Sequence, residues 1–129
     1  MSVELTLLFW STALLGGYLA LQSTLYRVQH GIAHSAGPRD EEPAPNVWTA
    51  RSGRALRNLL ETYPAFVALC VVVELGGHSD GLTQWGAHIY FWSRWVYLPL
   101  YVFGVPWLRS LVWTVAAGGL GLMFLGVLL

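Results

Sequence analysis

A single polar stripe in the middle of an apolar sequence carries the first sign of chemistry. Its members are separated by three, one and three residues, which places them on one helical face: Arg54, Arg57, Asn58 and Glu61. Guanidinium groups beside an amide and a carboxylate suit a small zwitterionic or anionic ligand with more than one carboxylate, because arginine binds carboxylates through paired hydrogen bonds. The stripe is therefore predicted to face protein or a water-filled cleft.

The position of Glu61 indicates that this stripe lies inside a membrane. The apolar run that follows, residues 63–75, has thirteen residues, which is too short to cross a bilayer alone. Glu61 precedes Leu75 by fourteen residues, or about 21 Å of helix in a hydrocarbon core of about 30 Å. Ionisable groups that share a face at such depth usually mark a functional site.

A second polar face follows in the next apolar segment. It has Tyr90, Arg94, Tyr97 and Tyr101 at spacings of four, three and four residues. Arg94 comes twelve residues after Leu82, so its depth of about 18 Å nearly matches that of Glu61. A charge at this depth costs several kcal/mol unless it is paired. We therefore expect Glu61 and Arg94 to meet, within one subunit or across an interface.

Other candidate residues give a weaker indication of a functional site or indicate a different role. Arg27 ends the first apolar segment, and Arg109 with Ser110 opens the last one, which places two guanidinium groups and a hydroxyl at the same rim. His30 and His34 are four residues apart but have no third ligand at a fixed spacing, so we expect no metal site. Cys70 lies in an apolar run and is interpreted as a core residue.

The composition explains what must position these groups. Of the 129 residues, 55% are hydrophobic and 11% are charged, against about a quarter charged in soluble domains. The net charge is zero and no basic stripe occurs, which excludes nucleic-acid binding. Apolar segments long enough to span a bilayer predict membrane helices at 3–26, 51–75, 82–103 and 107–129, with a polar loop at 27–50.

The turns and the arginines predict the arrangement of these helices. Short turns favour antiparallel neighbours, so the chain is predicted to be one all-α domain, an integral membrane four-helix bundle over residues 1–129. All seven basic residues are arginines, and most flank the 27–50 loop, which predicts a cytoplasmic loop and outside termini. Arg39, Arg51, Trp48 and Trp107 are interpreted as interfacial anchors. Small residues four apart, Ala13 with Gly17 and Ala117 with Gly121, suit close helix contacts or are ordinary bilayer residues.

At these residues the sequence resembles the MAPEG family, the membrane-associated proteins in eicosanoid and glutathione metabolism. Residues 54–62 (RALRNLLET), followed by Pro64, are similar to the signature of the family's second helix. The match continues through the third and fourth segments and covers essentially the whole chain, with Arg94, Tyr97, Tyr101, Pro106, Arg109 and Ser110. Residues 98–101 (LPLY) and 104–106 (GVP) are most similar to small bacterial members.

The resemblance implies a homotrimer in a bacterial inner membrane, with glutathione at each subunit interface on the cytoplasmic side. It implies glutathione-binding roles for Arg27, Arg54, Arg57, Asn58, Glu61, Arg94, Tyr97 and Tyr101. Arg109, with Ser110, would stabilise the thiolate that attacks a lipophilic electrophile or hydroperoxide arriving from the bilayer. The implied activity is glutathione transfer or glutathione-dependent peroxide reduction.

Two other functions remain compatible with the residues. A non-catalytic trimer could bind phospholipid or another anionic amphiphile in the same arginine-lined cleft, since a lipid phosphate fits guanidinium groups as well as a carboxylate does. The chain could also be an accessory subunit of a larger membrane complex.

Overall fold

The computed structural model describes residues 1–129 and contains five α-helices and no β-strand. The helices are α1 (Val3–His30), α2 (Ile32–Ala36), α3 (Val47–Gly76), α4 (Gly81–Val102) and α5 (Pro106–Leu128). The four long helices correspond to the four apolar segments and pack against one another. The five-residue helix α2 is an addition to the four helices predicted.

The structure corrects the boundaries predicted for the loop at 27–50. Helix α1 continues to His30 because the first residue that breaks it is Gly31, with φ of +86°. Helix α3 starts at Val47, four residues earlier than predicted, because the Asn46 side chain accepts a hydrogen bond from the Thr49 amide at 2.9 Å. Only Gly31 and residues 37–46 have no helical structure in this region.

The two turns between the last three helices are set by glycine and by side-chain caps. Gly77 ends α3 in the left-handed conformation, and Asp80 and Thr83 form a reciprocal capping box at the start of α4. Gly104, with φ of +73°, lies against Arg51, whose Nη1 donates to the Val102 carbonyl at 3.2 Å. Arg51 was predicted to be an interfacial anchor; the structure shows it holding the turn between α4 and α5.

Helices α4 and α5 approach each other closely through glycines. A Cβ atom on Gly86 would lie 2.5 Å from the Gly119 carbonyl oxygen, and one on Gly119 would lie 2.7 Å from the Gly86 carbonyl oxygen. Neither predicted small-residue pair makes such a contact, because Gly121 has open space beside it and Gly17 meets only the Trp95 ring, at 3.9 Å. The close contact with α4 is therefore made by a different face of α5 from the one that carries the predicted pair, Ala117 and Gly121.

The interior has two apolar clusters and one buried acid. One cluster contains Phe66, Cys70, Tyr90 and Met123, and the other contains Leu14, Tyr18, Ala55 and Leu59. Glu4 is fully buried at one end of the bundle, where the start of α1 meets the turn that joins α3 to α4. The Thr83 hydroxyl donates to its Oε1 at 2.6 Å, and the Ser79 hydroxyl donates to its Oε2 at 2.9 Å. These hydrogen bonds connect the start of α1 to the turn before α4.

Helices α1, α3 and α5 have the length and the apolar composition needed to cross a membrane. Helix α4 has a sufficient length of 22 residues, but its polar and aromatic side chains, among them Arg94, lower its hydropathy. The chain is thus an all-helical integral membrane protein with three helices that are candidates to span the membrane.

Candidate functional site

The two polar faces predicted from the sequence lie on α3 and α4, and the structure brings parts of them together. Arg94 is completely buried, and its Nη1 donates to Asn58 Oδ1 at 2.8 Å. Its guanidinium lies 4.3 Å from the centre of the Tyr97 ring. The Arg94 carbonyl also accepts a hydrogen bond from the Tyr18 hydroxyl at 2.6 Å, which fixes α4 against α1.

The predicted pairing of Arg94 with Glu61 within one subunit is wrong. Asn58 is the partner of Arg94, and Glu61 is exposed on the surface of α3. Asn58 and Glu61 are three residues apart, so their side chains differ in direction by about 60° around the axis of α3. When Asn58 faces α4, Glu61 therefore does not. The Nε and Nη2 atoms of Arg94 are buried and have no hydrogen-bond partner in the chain. Pairing with Glu61 across a subunit interface, the other alternative predicted, would require the completely buried Arg94 side chain to become accessible from outside its own subunit.

Tyr101 connects α3 to the start of α5. Its hydroxyl accepts a hydrogen bond from Arg54 Nε at 3.1 Å. The Arg109 guanidinium lies 4.6 Å from the centre of its ring, a distance typical of a cation–π contact. One tyrosine therefore holds two guanidinium groups that come from different helices.

Beside Tyr101 is an open cavity of about 280 Å³, which we call the central cleft. It is lined by five residues predicted to form the site together with two further residues of α5: Asn58, Tyr97, Tyr101, Arg109, Ser110, Trp113 and Thr114. The Ser110 hydroxyl donates to the Pro106 carbonyl at 3.2 Å, and the Thr114 hydroxyl donates to the Ser110 carbonyl at 2.9 Å. The cleft thus combines a guanidinium, an amide and several hydroxyl groups.

Sequence reasoning missed Trp113 and Thr114, although a signal for them exists. They follow Arg109 and Ser110 by four residues, so each lies one helical turn further along the same face of α5. Tyr90 was included in the polar face of α4, but its hydroxyl lies 2.9 Å from Thr62 Oγ1 and its ring stacks on Phe66 in the core. Tyr90 therefore acts as a packing residue.

Besides the buried Arg94, four predicted site residues lie outside the central cleft. Arg57 and Arg54 border a separate cavity of about 320 Å³ between α1 and α3. Arg27 borders a third cavity, of about 240 Å³, beside α2. Glu61 is exposed and lines none of these three cavities. Within one subunit, the predicted residues are therefore divided among several surfaces.

The histidines at the end of α1 and the single cysteine lie outside the central cleft. The rings of Tyr26 and His30 have centroids 4.4 Å apart, and those of His30 and His34 are 5.1 Å apart, so they form an aromatic stack at the end of α1. The structure contains no group of three histidine, cysteine or acidic side chains that could hold a metal ion. Cys70 is buried in the apolar core.

Comparison with known protein families identifies the chain. The model of the MAPEG family matches residues 7–129, which include the whole of the site and all but the first residues of α1. The chain belongs to the MAPEG family. No curated protein and no solved structure gives a significant match. Membership of this glutathione-related family agrees with the resemblance inferred from residues 54–62 and with the membrane-spanning helices.

Proposed function

We propose that this MAPEG protein is a membrane glutathione transferase or glutathione-dependent peroxidase that acts on lipophilic substrates. The observation that carries the proposal is the position of Arg109 on the Tyr101 ring, at the edge of a cleft that also contains Asn58 and Ser110. This arrangement offers a cation for a thiolate and polar groups for the rest of a tripeptide.

The binding roles follow from the charges of glutathione. Arg54 and Arg57 bind its carboxylates, Glu61 accepts hydrogen bonds from its ammonium group, and Asn58 binds its peptide backbone. Arg94 acts by holding Asn58, while Tyr97 and Tyr101 form the wall of the cleft. In a homotrimer, Arg27 of one subunit completes the site of the next, because within its own subunit it lies beside a different cavity.

The chemistry begins with the thiol. Arg109 stabilises the thiolate, and the Ser110 hydroxyl on the same turn of α5 becomes a second donor when it turns away from the Pro106 carbonyl. With an electrophile, the sulfur forms a bond to carbon and the leaving group departs with the bonding electrons. With a hydroperoxide, the thiolate breaks the O–O bond to give an alcohol and a glutathione sulfenic acid, and a second glutathione then gives the disulfide and water.

The experiment is titration calorimetry of the detergent-solubilised protein with glutathione, combined with turnover of chlorodinitrobenzene and of a lipid hydroperoxide. We expect Arg109→Ala to lower kcat by about 100-fold, as the loss of one charge-stabilising group typically does. Arg109→Lys should recover part of the activity because the charge is kept. Arg39→Ala is the matched control for kcat, since Arg39 lies outside the central cleft and borders the cavity of Arg54 and Arg57, where a change affects binding rather than the thiolate. Absence of glutathione binding and turnover in the unaltered protein would contradict the proposal.

A second candidate function is binding of an anionic amphiphile without catalysis. The central cleft is bordered by the Trp113 ring as well as by Arg109, and Leu111 is exposed on the same helix. An amphiphile needs such a combination of charge and apolar surface. Phospholipid that remains in the purified protein and that glutathione does not displace would favour this function over the first.

A further inference from the structure

A polar cavity lies where α1 ends and α2 begins, at a distance along the chain from the central cleft. We call it the corner cavity. It has a volume of about 240 Å³ and is bordered by Gln22, Ser23, Tyr26, Arg27, Ser35 and Arg39, among others. None of the residues around it is acidic. Its lining therefore has two guanidinium groups, three hydroxyl groups and an amide but no carboxylate, and one of the hydroxyls, that of Ser35, already donates to the Gly31 carbonyl.

Arg39 is held in a fixed position in this cavity. Its Nε donates to the Ser35 carbonyl at 2.9 Å, and its guanidinium lies 4.3 Å from the centre of the Tyr26 ring. The Tyr26 ring is itself packed against His30. The two terminal nitrogens of Arg39 make no hydrogen bond within the chain and can both donate to one ligand.

The acidic residues of the loop do not occupy the corner cavity. Glu42 borders the neighbouring cavity between α1 and α3, which shares the Arg39 and Tyr26 side chains. Asp40 and Glu41 are exposed and line none of the cavities around this corner. An anion in the corner cavity therefore meets the guanidinium groups without a carboxylate at its own walls.

The depth of the corner cavity places it in the layer of lipid headgroups. Ser23 and Arg27 follow the first residue of α1 by 20 and 24 residues. At the helical rise per residue these separations are about 30 and 36 Å, which lie just beyond a hydrocarbon core of about 30 Å and within the headgroup layer. Val28 and Ile32, which are 76% and 77% exposed, provide apolar surface at the same corner.

We propose that the corner cavity binds the phosphate group of an anionic phospholipid. Arginine forks and hydroxyl groups are the donors that phosphate oxygens prefer. The exposed Val28 and Ile32 provide contact for the adjoining glycerol and the first part of an acyl chain. This site is separate from the stripe on α3 and shares only Arg27 with the residues proposed to bind glutathione, and the proposal stands whether or not the protein is an enzyme.

The test uses the full-length protein in detergent and native mass spectrometry with added phosphatidylglycerol, phosphatidylcholine or inorganic phosphate. We expect tight adducts with phosphatidylglycerol and weaker ones with phosphatidylcholine. Arg39→Gln should weaken phosphatidylglycerol binding by about fivefold, the effect of one basic residue near an anionic headgroup. Arg57→Gln is the matched control because it removes the same charge from the stripe on α3, away from the corner cavity.

The outcomes separate the possible binding sites and ligands. Loss of lipid in Arg39→Gln with retention in Arg57→Gln supports the proposal. Loss in Arg57→Gln with retention in Arg39→Gln overturns it and places the lipid in the stripe on α3. Inorganic phosphate adducts that depend on Arg39, without lipid adducts, also overturn it in favour of a soluble phosphate ligand. Arg39→Lys, together with thermal melting of both variants, shows whether a loss reflects the removed charge or a folding defect.

Discussion

The residue that best explains the site is Arg94. A fully buried guanidinium is costly, and this one has an amide oxygen and the Tyr97 ring as partners instead of a carboxylate. Because Asn58 Oδ1 accepts this hydrogen bond, the orientation of the Asn58 amide is fixed. Its NH₂ group therefore points away from Arg94. Arg94 is therefore a positioning residue that acts through Asn58.

We predict that Arg94→Gln raises KM for glutathione by about tenfold, with a smaller effect on kcat. A hydrogen bond to a charged group contributes about 1.5–3 kcal/mol, and losing it frees the Asn58 amide to rotate. Steady-state kinetics on the detergent-solubilised protein measures the two constants separately. Arg94→Lys should restore part of the binding, which a purely structural role would not require. An unchanged KM in a folded Arg94→Gln protein would contradict the positioning role.

The residue types of the site were predictable from the sequence, and their partners were not. The spacing of Arg54, Arg57, Asn58 and Glu61 identifies one face, and the structure places all four on α3. Which of them meets Arg94 depends on the rotation of α3 against α4, and a difference of about 60° decides between Asn58 and Glu61. That rotation is a property of helix packing, which the sequence of either helix alone does not specify.

At the scale of elements, the contact between α4 and α5 is the closest in the molecule. Gly86 and Gly119 face each other so closely that each would place a Cβ within 3 Å of the other's carbonyl oxygen. The buried residues of α5 include Ala116, Gly119, Met123 and Gly126. They repeat at intervals of three and four residues, as expected for a helix that packs along one face.

We predict that Gly119→Ala destabilises the protein by about 1–3 kcal/mol, the usual cost of overpacking a tight contact. The new methyl group meets backbone atoms of α4, which cannot move without separating the helices. Gly118→Ala is the control, because nothing lies within 4 Å of a Cβ at that position. Thermal unfolding in detergent compares the two variants. Equal melting temperatures would show that α4 and α5 are not in tight contact.

The elements themselves were largely predictable, with errors that have physical causes. Apolar length predicted four membrane-spanning helices, and each corresponds to a long helix, of which three are apolar enough to cross a membrane. Their boundaries near the first loop were misplaced because capping by Asn46 and the conformation of Gly31 act locally within a polar sequence. Helix α2 was missed because five residues between glycines carry no periodic pattern. Gly119 and Gly121 both lie among small residues in the sequence. Only the packing of α5 against α4 shows that Gly119 is the one that makes the close contact.

At the scale of the whole molecule, the polar face of α3 is incompletely covered by its own chain. Arg54, Arg57 and Glu61 are exposed. By their position along the helix they lie within or close to the membrane, where exposed charges are unfavourable unless protein or water faces them. We propose that a second copy of the chain covers this face, as in the homotrimer proposed above.

We predict that native mass spectrometry in mild detergent shows an assembly of three chains of 14.3 kDa each. If Glu61 also pairs with an arginine of the neighbouring subunit, Glu61→Gln should shift the population toward monomers, because the neutral amide loses that ion pair. Glu74→Gln is a suitable control, since Glu74 is an exposed acid near the other end of α3. A monomer as the main species in the unaltered protein would be inconsistent with this prediction.

The buried carboxyl of Glu4 has a consequence for the order of assembly during synthesis. Its hydroxyl partner on Thr83 comes 79 residues later in the chain. At a synthesis rate of about 5–20 residues per second, Glu4 waits roughly 4–16 s before that hydroxyl has been made. During that interval α1 must keep the carboxyl near water, at the side of the bilayer where α1 begins. The contact between α1 and the start of α4 is thus a late event, which closes the bundle after its first helices have entered the membrane.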